Sequence, residues 1–486
     1  MHLYAEQLSG TAFTAPRAEG KNLRTWLYRV KPSVTHQPFR APAFPNDHLM
    51  ADFTGGHGDH GCCVTPNQLR WFPLEVPPKP GGGHAPTDFV RGLKTFCGAG
   101  SAAVKDGYAI HVYAFNADME RSCLANADGD MLIVPQLGEL RVKSEMGVMR
   151  VPPGHVCVVP RGIRFSVGLE ARLRRREKEG REGKDQDHPT GVAESDAGGA
   201  GDEEGARGYV LEIFSGHFEL PNLGPIGANG LAAARDFETP VAAFDAPNRR
   251  DEWRVVHKFL GELFEADQDF SPFNVVAWHG NYVPYRYDLS KFCPMNAVSF
   301  DHPDPSIFTV LTCPGTGSRA GAAVADFVVF PPRINATTNT FRPPYYHRNS
   351  QTEFMGLISG QYEAKVDGGF LPGGASLHSC MTPHGPDAGT FERASAEGAC
   401  DEATAIGSDA LAFMFEMDYI PRVTAHALAS QALDKDYYRV WTGLKSFFDP
   451  NGAAMNNGTT RLDGGRSGKR DRDASGEEPE VGKRRK

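Results

Sequence analysis

The sequence has no long hydrophobic run. Its most apolar pieces, such as "DFVVF" and "IFTVLT", have the length of single strands rather than of a membrane-spanning helix. The first residues, "MHLYAEQLSGTAFTAPR", lack the basic start and apolar core of a secretory signal. Net positive charge is also missing, since the formal net charge is -9. We therefore expect a cytoplasmic protein whose partners include neither nucleic acid nor a membrane.

Several common chemical signatures are absent as well. The nine cysteines are scattered without a regular framework, which indicates reduced thiols rather than disulfides. There is no Walker P-loop and no H-E-x-x-H motif. "GTGSRAG" partly resembles a dinucleotide-binding turn, but a strand-like run follows it, and "HGDHGCC" crowds its four potential zinc ligands into one glycine loop. Neither segment predicts a site.

Two segments differ from the rest in composition. Residues 172–207 contain many charges and glycines and almost no apolar side chain, which predicts a disordered insertion. The tail, residues 456–486, has a similar composition and carries two basic clusters. Their spacing is that of a bipartite nuclear import signal, and a solvated tail is the alternative interpretation.

The remaining chain reads as short alternating strands with frequent glycine and proline, of which the sequence has 54 and 36. The run "GDMLIVPQLGELRVKSEMGVMRVPPGHVCVVPRGIRFSV" is typical of successive antiparallel strands. "EFMGLISGQYEAK" and "GGFLPGGASLHSCMTPHG" have the same texture. We predict a mainly β protein of two related antiparallel barrels, the first over 1–171 with 208–270 and the second over 271–455.

An alignment of the two barrels without gaps, on Gly138 and its counterpart in the second barrel, indicates which barrel is active. Ala125 then lies opposite His347. Met131 lies opposite Glu353. The first barrel thus lacks the polar side chains of the second, and we expect the chemistry in the carboxyl-terminal half.

Strand parity groups these polar side chains. His347 and Glu353 are separated by an even number of residues, so they share a face if the segment is a strand, and His378 and His384 do likewise. Two imidazoles and one carboxylate would form the facial triad of non-haem Fe(II) oxygenases. The spacing does not decide between His378 and His384, and histidines that only hydrogen-bond within the core are the alternative.

A second polar patch lies upstream of these residues. His302 in "FDHPDPS" precedes a proline at a strand end or turn, where a mobile catalytic base is often found, although a surface histidine is the alternative. The patch also contains four residues on neighbouring strand-like runs: His279, Tyr282, Tyr285 and Tyr287.

Long ordered runs of the chain resemble the homogentisate 1,2-dioxygenase family. They include "SPFNVVAWHGNYVPYRY", "FRPPYYHRN", "EFMGLISGQYEAK" and "LPGGASLHSCMTPHGPDA", and they cover nearly everything except the insertion and the tail. The resemblance implies a two-domain protein with cupin-like jelly-roll barrels, a few short helices, one Fe(II) per subunit and a homohexamer built as a dimer of trimers. It further implies the conversion of homogentisate and O2 to 4-maleylacetoacetate in tyrosine and phenylalanine breakdown.

The resemblance also implies roles for single residues. By motif, His347, Glu353 and His384 are the iron ligands and His302 is the catalytic base. Tyr362 and His384 contact the substrate. His378 is left as a residue that packs behind the ligands.

Two other functions fit part of the pattern. A cupin that binds a small molecule or a partner without catalysis would not need the complete donor set. A ring-cleaving dioxygenase that acts on gentisate would use similar chemistry. We expect the homogentisate enzyme.

Overall fold

The computed structural model describes most of the chain. The described residues are 2–12, 22–55, 61–175, 205–227, 229–246, 252–295, 307–315, 320–335, 345–365, 369–396, 404–407 and 409–448. His302, the expected tail and most of the expected insertion lie outside these ranges. The prediction of disorder is wrong at both ends of the insertion, since residues 172–175 are helical and a strand begins at Ala206. Met1–Leu444 form one compact unit.

The described residues are organised mainly as strands. The first thirteen are β1 (Tyr4–Ser9), β2 (Arg24–Arg29), β3 (Cys62–Cys63), β4 (Leu69–Trp71), β5 (Leu93–Ser101), β6 (Asp106–Phe115), β7 (Ser122–Asn126), β8 (Asp130–Leu137), β9 (Leu140–Ser144), β10 (Gly147–Val151), β11 (His155–Val159), β12 (Arg164–Leu169) and β13 (Ala206–Ile213). The others are β14 (Phe237–Glu238), β15 (Trp253–Phe259), β16 (Glu262–Gln268), β17 (Val275–Gly280), β18 (Tyr285–Asp288), β19 (Thr309–Pro314), β20 (Ala323–Phe330), β21 (Arg333–Asn335), β22 (Thr352–Ser359), β23 (Ala375–His378), β24 (Thr404–Ile406), β25 (Leu411–Met417) and β26 (Arg422–Thr424).

In the described part of the chain, helices are few and short. They are α1 (Phe89–Gly92), α2 (170–175), α3 (Ala388–Ala394) and α4 (Ala425–Ala429). Within the described ranges, no helix has the length and apolar character needed to cross a membrane. The predicted mainly β fold with a few short helices is confirmed.

Three large sheets form the body of the protein. A nine-stranded sheet has the order β14-β18-β11-β8-β13-β6-β5-β26-β3, and a six-stranded sheet of the first half has the order β10-β9-β12-β7-β15-β16. Side chains of β13 alternate between two cores, since Tyr209 and Leu211 lie in one and Val210 in the other. β13, in the middle of the nine-stranded sheet, is therefore buried on both faces.

The third sheet carries the polar residues predicted for the second barrel. Its order is β19-β20-β25-β22-β23-β4, and its strands are antiparallel. Phe354 of β22 packs in the core that the nine-stranded sheet shares, whereas Met355 lies in a separate apolar cluster on the opposite face. Because side chains alternate along a strand, Glu353 points to the same face as Met355.

The two halves exchange strands. β4 comes early in the chain but pairs with β23, and β26 comes late but pairs with β5 and β3. Two strands after the expected domain boundary at 270/271 also pair with the first half, since β17 binds β2 and β18 binds β11. The halves are thus joined by backbone hydrogen bonds as well as by side-chain packing.

The aligned glycines occupy matching positions in the fold. β8 and β22 each contain eight residues, and each is followed by a glycine with positive φ, 82° at Gly138 and 70° at Gly360. A side chain is disfavoured in this left-handed region, which explains why both turns use glycine. Met131 and Glu353 are the second residues of their strands, and Met131 lies in an apolar core.

A buried ion cluster lies within the first half. The Lys258 ammonium is 2.5 Å from an oxygen of Asp128 and 3.0 Å from both oxygens of Glu212. His111 Nε2 lies 3.0 Å from Glu212. Burial alone would lower the pKa of Lys258, but the two carboxylates outweigh it and raise that pKa. The ammonium of a wholly buried lysine is here compensated by two negative charges.

Candidate metal centre

Glu353 is placed by strand register. It is the second residue of β22, where it pairs with His378 of β23 on one side and with Glu416 of β25 on the other. Its residue exposure is 7%. A carboxylate this deeply buried is costly unless positive or hydrogen-bonding groups surround it, and three imidazoles lie nearby.

His347 and His384 are joined through their backbones. The His347 amide donates to the His384 carbonyl at 2.9 Å, and the His384 amide donates to the His347 carbonyl at 3.1 Å. This two-residue antiparallel bridge holds the two rings with their centroids 4.2 Å apart. Strand parity did not predict the bridge, because His347 and His384 lie outside β22 and β23.

Backbone carbonyls orient both rings. His347 Nδ1 is 3.1 Å from the Tyr345 carbonyl, and His384 Nδ1 is 2.9 Å from the Thr382 carbonyl. A carbonyl only accepts, so each Nδ1 must carry a proton and donate it. In the neutral imidazole this leaves Nε2 as the unprotonated nitrogen that a metal would bind, whereas in the protonated ring Nε2 also donates a hydrogen bond.

The Nε2 atoms of both rings converge on the Glu353 carboxylate. His347 Nε2 lies 3.3 Å from Oε1 and His384 Nε2 lies 2.9 Å from Oε2. One ligand atom from each of the three residues lies within 4.8 Å of the others. Two imidazole nitrogens and one carboxylate this close together are a donor set suited to a divalent metal, so these residues fit a metal.

The charge state of these residues also favours a cation. Burial alone would raise the pKa of Glu353, but hydrogen bonds from the neighbouring imidazoles, His347 first, hold it well below its usual range. The hydrogen bond to Glu353 raises the pKa of His347 despite burial. Glu353 is therefore ionised and attracts positive charge.

Asn349 supports the carboxylate and was not identified from the sequence. Its side-chain Nδ2 donates to Glu353 Oε1 at 2.7 Å, and its Oδ1 accepts from the Gln351 amide at 2.7 Å. An amide that donates to one carboxylate oxygen fixes the orientation of the carboxylate. The sequence signal was the asparagine of "YYHRN", four residues before Glu353.

His378 packs behind the ligands. Its ring stacks on His384 with the centroids 4.2 Å apart and an interplanar angle of 10°. His378 Nε2 hydrogen-bonds the Tyr437 hydroxyl at 2.9 Å, and its Nδ1 lies 3.9 Å from Glu353 Oε2. Burial lowers the pKa of His378 to about 3, so the ring is neutral. Both histidines lie near Glu353, His384 closer than His378, but strand parity is not the reason, because His384 lies beyond the end of β23.

A row of acidic residues continues across the sheet. Asp326 of β20 pairs with Glu416 of β25, which pairs with Glu353 of β22. Burial, and then the charge of Glu353, raises the pKa of Glu416 to about 7. Like charges directly opposite on neighbouring strands repel, so the row holds fewer negative charges than carboxyl groups.

Tyr362 lies in the apolar cluster on this face of the sheet. Its ring is 5.9 Å from that of Phe330 and 6.1 Å from that of Phe370, and its residue exposure is 8%. Burial raises the pKa of its hydroxyl, which therefore stays protonated and can donate a hydrogen bond. The cluster supplies an apolar wall beside the metal-binding residues.

The second predicted polar patch is not part of this centre in the described residues. His279 is exposed on β17, and Tyr282 donates from its hydroxyl to the Arg161 carbonyl at 2.7 Å. Tyr287 stacks on Phe237 in the first half. His302 lies outside the described residues.

Fold and site together define a class. Antiparallel sheets beside which two histidines and a glutamate converge define a mainly β protein with a candidate metal-binding centre.

Known proteins make the assignment more specific. The family profile "Homogentisate 1,2-dioxygenase N-terminal" matches residues 1–178 and 200–289, and "Homogentisate 1,2-dioxygenase C-terminal" matches residues 290–448. Curated homogentisate 1,2-dioxygenases of Oryza sativa subsp. japonica and Homo sapiens are 56% and 49% identical over 455 and 451 residues. The alignments each cover 93% of this chain, and 87% and 90% of those proteins. The solved structure of a point mutant of Bacillus subtilis oxalate decarboxylase is 10% identical with a TM-score of 0.26, covering 79% of this chain and 88% of that chain.

The chain belongs to the homogentisate 1,2-dioxygenase family.

Proposed function

We propose that this protein opens the aromatic ring of homogentisate with O2 to give 4-maleylacetoacetate. The observation that carries the proposal is the His347, Glu353 and His384 donor set inside a chain about half identical to named homogentisate 1,2-dioxygenases. The donor set supports metal-dependent chemistry, and the names of the relatives support homogentisate as the substrate.

The proposed metal is Fe(II), held by His347 Nε2, His384 Nε2 and the Glu353 carboxylate. Bound ferrous iron would supply a centre of net charge +1 at which an anionic phenol and O2 bind side by side. A buried carboxylate that is ionised and two imidazoles whose Nδ1 protons are already donated support this assignment.

The proposed substrate contacts use groups of this chain. His302 would accept the phenolic proton, which makes the ring electron-rich. The Tyr362 hydroxyl, kept protonated by burial, would donate to a polar group of the substrate, and His384 would contact the substrate as well as the metal. The apolar cluster around Tyr362 would exclude water from the ring.

Anaerobic reconstitution with Fe(II), followed by oxygen-electrode measurement with homogentisate, tests the proposal. We expect about one iron per chain and one O2 consumed per homogentisate, with a ring-opened product that absorbs in the near ultraviolet. His347→Ala should lose most bound iron and turnover, while Arg348→Ala at the exposed neighbouring position should keep both. Full iron content and turnover in His347→Ala would refute the site.

The same preparation separates the two alternative functions. A non-catalytic cupin would bind no iron, or would consume no oxygen with either homogentisate or gentisate. A gentisate dioxygenase would have a higher kcat/KM with gentisate than with homogentisate. We expect the opposite order.

We also propose a homohexamer, arranged as a dimer of trimers, in the cytoplasm. The support for the assembly is the family assignment, and the support for the compartment is that the cysteines of the described residues are free thiols. Size-exclusion chromatography with light scattering measures the assembly, and a mass of one or three chains would contradict it.

A further inference from the structure

Lys365 is a buried cation in an unusual environment. It ends the short helical turn Glu363–Lys365, and its residue exposure is 7%. Its ammonium nitrogen lies 3.1 Å from Ser376 Oγ and 3.9 Å from Met355 Sδ. The Phe370 ring centroid is 5.0 Å away. One hydroxyl, one thioether and aromatic rings are its neighbours.

The other buried cations of the described residues all have carboxylate partners. Arg29 contacts Glu6 and Glu145, Arg70 contacts Asp434, and Lys258 contacts Asp128 and Glu212. Among the described residues, Lys365 has no carboxylate at ion-pair distance. A buried charge without a counter-ion is costly, and the rest of this chain shows how such a cost is usually avoided.

Strand register places Lys365 next to the metal centre. Met355 follows Glu353 by two residues on β22 and pairs with Ser376, which precedes His378 by two residues on β23. Met355 and Ser376 lie on the same face of the sheet as Glu353 and His378, two residues further along. The ammonium beside them is therefore displaced from the level of Glu353 by roughly 7 Å along the strands. That distance is comparable to the span of a substituted phenol.

The same turn carries the predicted substrate contact. The Lys365 amide donates to the Tyr362 carbonyl at 3.1 Å, and both side chains contact Phe370. Lys365 and Tyr362 therefore belong to the same part of the structure, the side of the site that the apolar cluster forms.

Lys365 is in the electrostatic environment of a buried amine that has no anionic partner among the described residues. Burial lowers its pKa to about 7, and the charge of Glu353 opposes this shift. A second anion beside the amine would favour its charged form. Homogentisate carries such an anion in its acetate arm, separate from the phenol oxygens that a metal would bind.

We propose that Lys365 is a specificity-determining residue that binds the carboxylate of the substrate's acetate arm. This inference rests on the proposed function for the identity of the substrate. The substrate then supplies the counter-ion that Lys365 lacks among the described residues, and neutral analogues lack that interaction.

Anaerobic calorimetric titration of the Fe(II)-loaded protein tests the proposal without turnover. The ligands are homogentisate and its neutral primary amide, (2,5-dihydroxyphenyl)acetamide. Lys365→Met should weaken homogentisate binding about 10- to 100-fold, as expected for the loss of a charged hydrogen bond. Its affinity for the amide should stay within about threefold of wild type, since no ionic contact is removed.

Controls separate recognition from packing. Lys435→Met replaces an exposed lysine and should leave both affinities unchanged. Lys365→Gln is a second variant if Lys365→Met does not fold. Because an uncompensated buried charge is removed, Lys365→Met should unfold at a temperature no lower than that of wild type. Equal weakening of both ligands, or unchanged homogentisate affinity, would overturn the proposal.

The proposed function can fail separately. If the wild-type protein consumes no oxygen but binds homogentisate more tightly than the amide through Lys365, the inference stands and the dioxygenase proposal falls. If wild-type protein binds neither ligand, the inference falls whatever the iron content.

Discussion

At the scale of single residues, the metal centre depends on groups that do not ligate. The Tyr345 and Thr382 carbonyls set the tautomers of the two imidazoles, and Asn349 sets the carboxylate. Each of these contacts orients a donor atom before a metal arrives. Such preorganisation lowers the cost of assembling the site.

Asn349→Ala should weaken iron binding. The substitution removes the donor 2.7 Å from Glu353 Oε1, and loss of such outer contacts typically costs about 10- to 100-fold in metal affinity. Competition with a chelator measures the change. Arg348→Ala is the matched control on the same segment, and equal affinities in the two variants would show that Asn349 does not act on the metal.

Tyr362→Phe should raise the KM for homogentisate about tenfold, through loss of one hydrogen bond to the substrate. Iron content should not change, because no ligand is altered. Steady-state oxygen uptake gives KM and kcat separately. Tyr438→Phe, at an exposed position, serves as the control. A variant with normal KM would remove Tyr362 from the substrate contacts.

At the scale of elements, a histidine fixes the end of strand β1. His217 Nδ1 lies 2.8 Å from Asp130 Oδ2, and its Nε2 lies 2.6 Å from the Gly10 carbonyl, just after β1. Both partners are acceptors, so both ring nitrogens must donate. Burial alone would lower the pKa of His217, but the hydrogen bond to Asp130 outweighs burial and the nearby Arg161 and raises it.

This pair makes the attachment of β1 dependent on pH. A raised folded-state pKa gives stability that is fully present below the unfolded value of 6.5 and is lost as pH rises through the folded-state value. As pH rises, we expect wild type to lose about 1–2 kcal/mol of unfolding free energy relative to His217→Gln. Urea unfolding of both proteins at a series of pH values from about 6 to about 9 measures this difference. The same pH dependence of the unfolding free energy in the two proteins would contradict the assignment.

At the scale of the whole molecule, the first half helps to build the site of the second. β4 closes the edge of the metal-binding sheet beside β23, and its Arg70 lies over the Tyr437 ring that hydrogen-bonds His378. Trp71 of the same strand packs against Phe354 of β22. The carboxyl-terminal half alone would lack this edge.

Deletion of residues 179–199 should leave activity within about twofold and the unfolding temperature within a few degrees, because loop-closure entropy changes slowly with length. The family profile passes over these residues, although it matches the chain on both sides. Thermal unfolding and oxygen uptake measure the two quantities. Loss of the assembly in the shortened protein would instead give these residues an interface role.

Part of the candidate site could be predicted from residue type and spacing, although strand parity itself does not apply to His347 and His384, which lie outside β22 and β23. Even spacing grouped His347 with Glu353 and His378 with His384, and the alignment on Gly138 assigned the chemistry to the second half. Parity could not rank the two later histidines. His384 Nε2 is 2.9 Å and His378 Nδ1 is 3.9 Å from the same oxygen, a difference that the bridge between residues 37 apart in sequence creates.

The sequence by itself determined the mainly β character, the donor atoms for a metal and the half of the chain that carries them, since periodicity and residue type are local properties. Only the tertiary structure decided which side chains meet. Strand exchange by β4 and β26, the meeting of His347 with His384, and the contact of Lys365 with Ser376 all arise from contacts between distant segments. Burial and register depend on the complete set of such contacts, so no single stretch of sequence contains them.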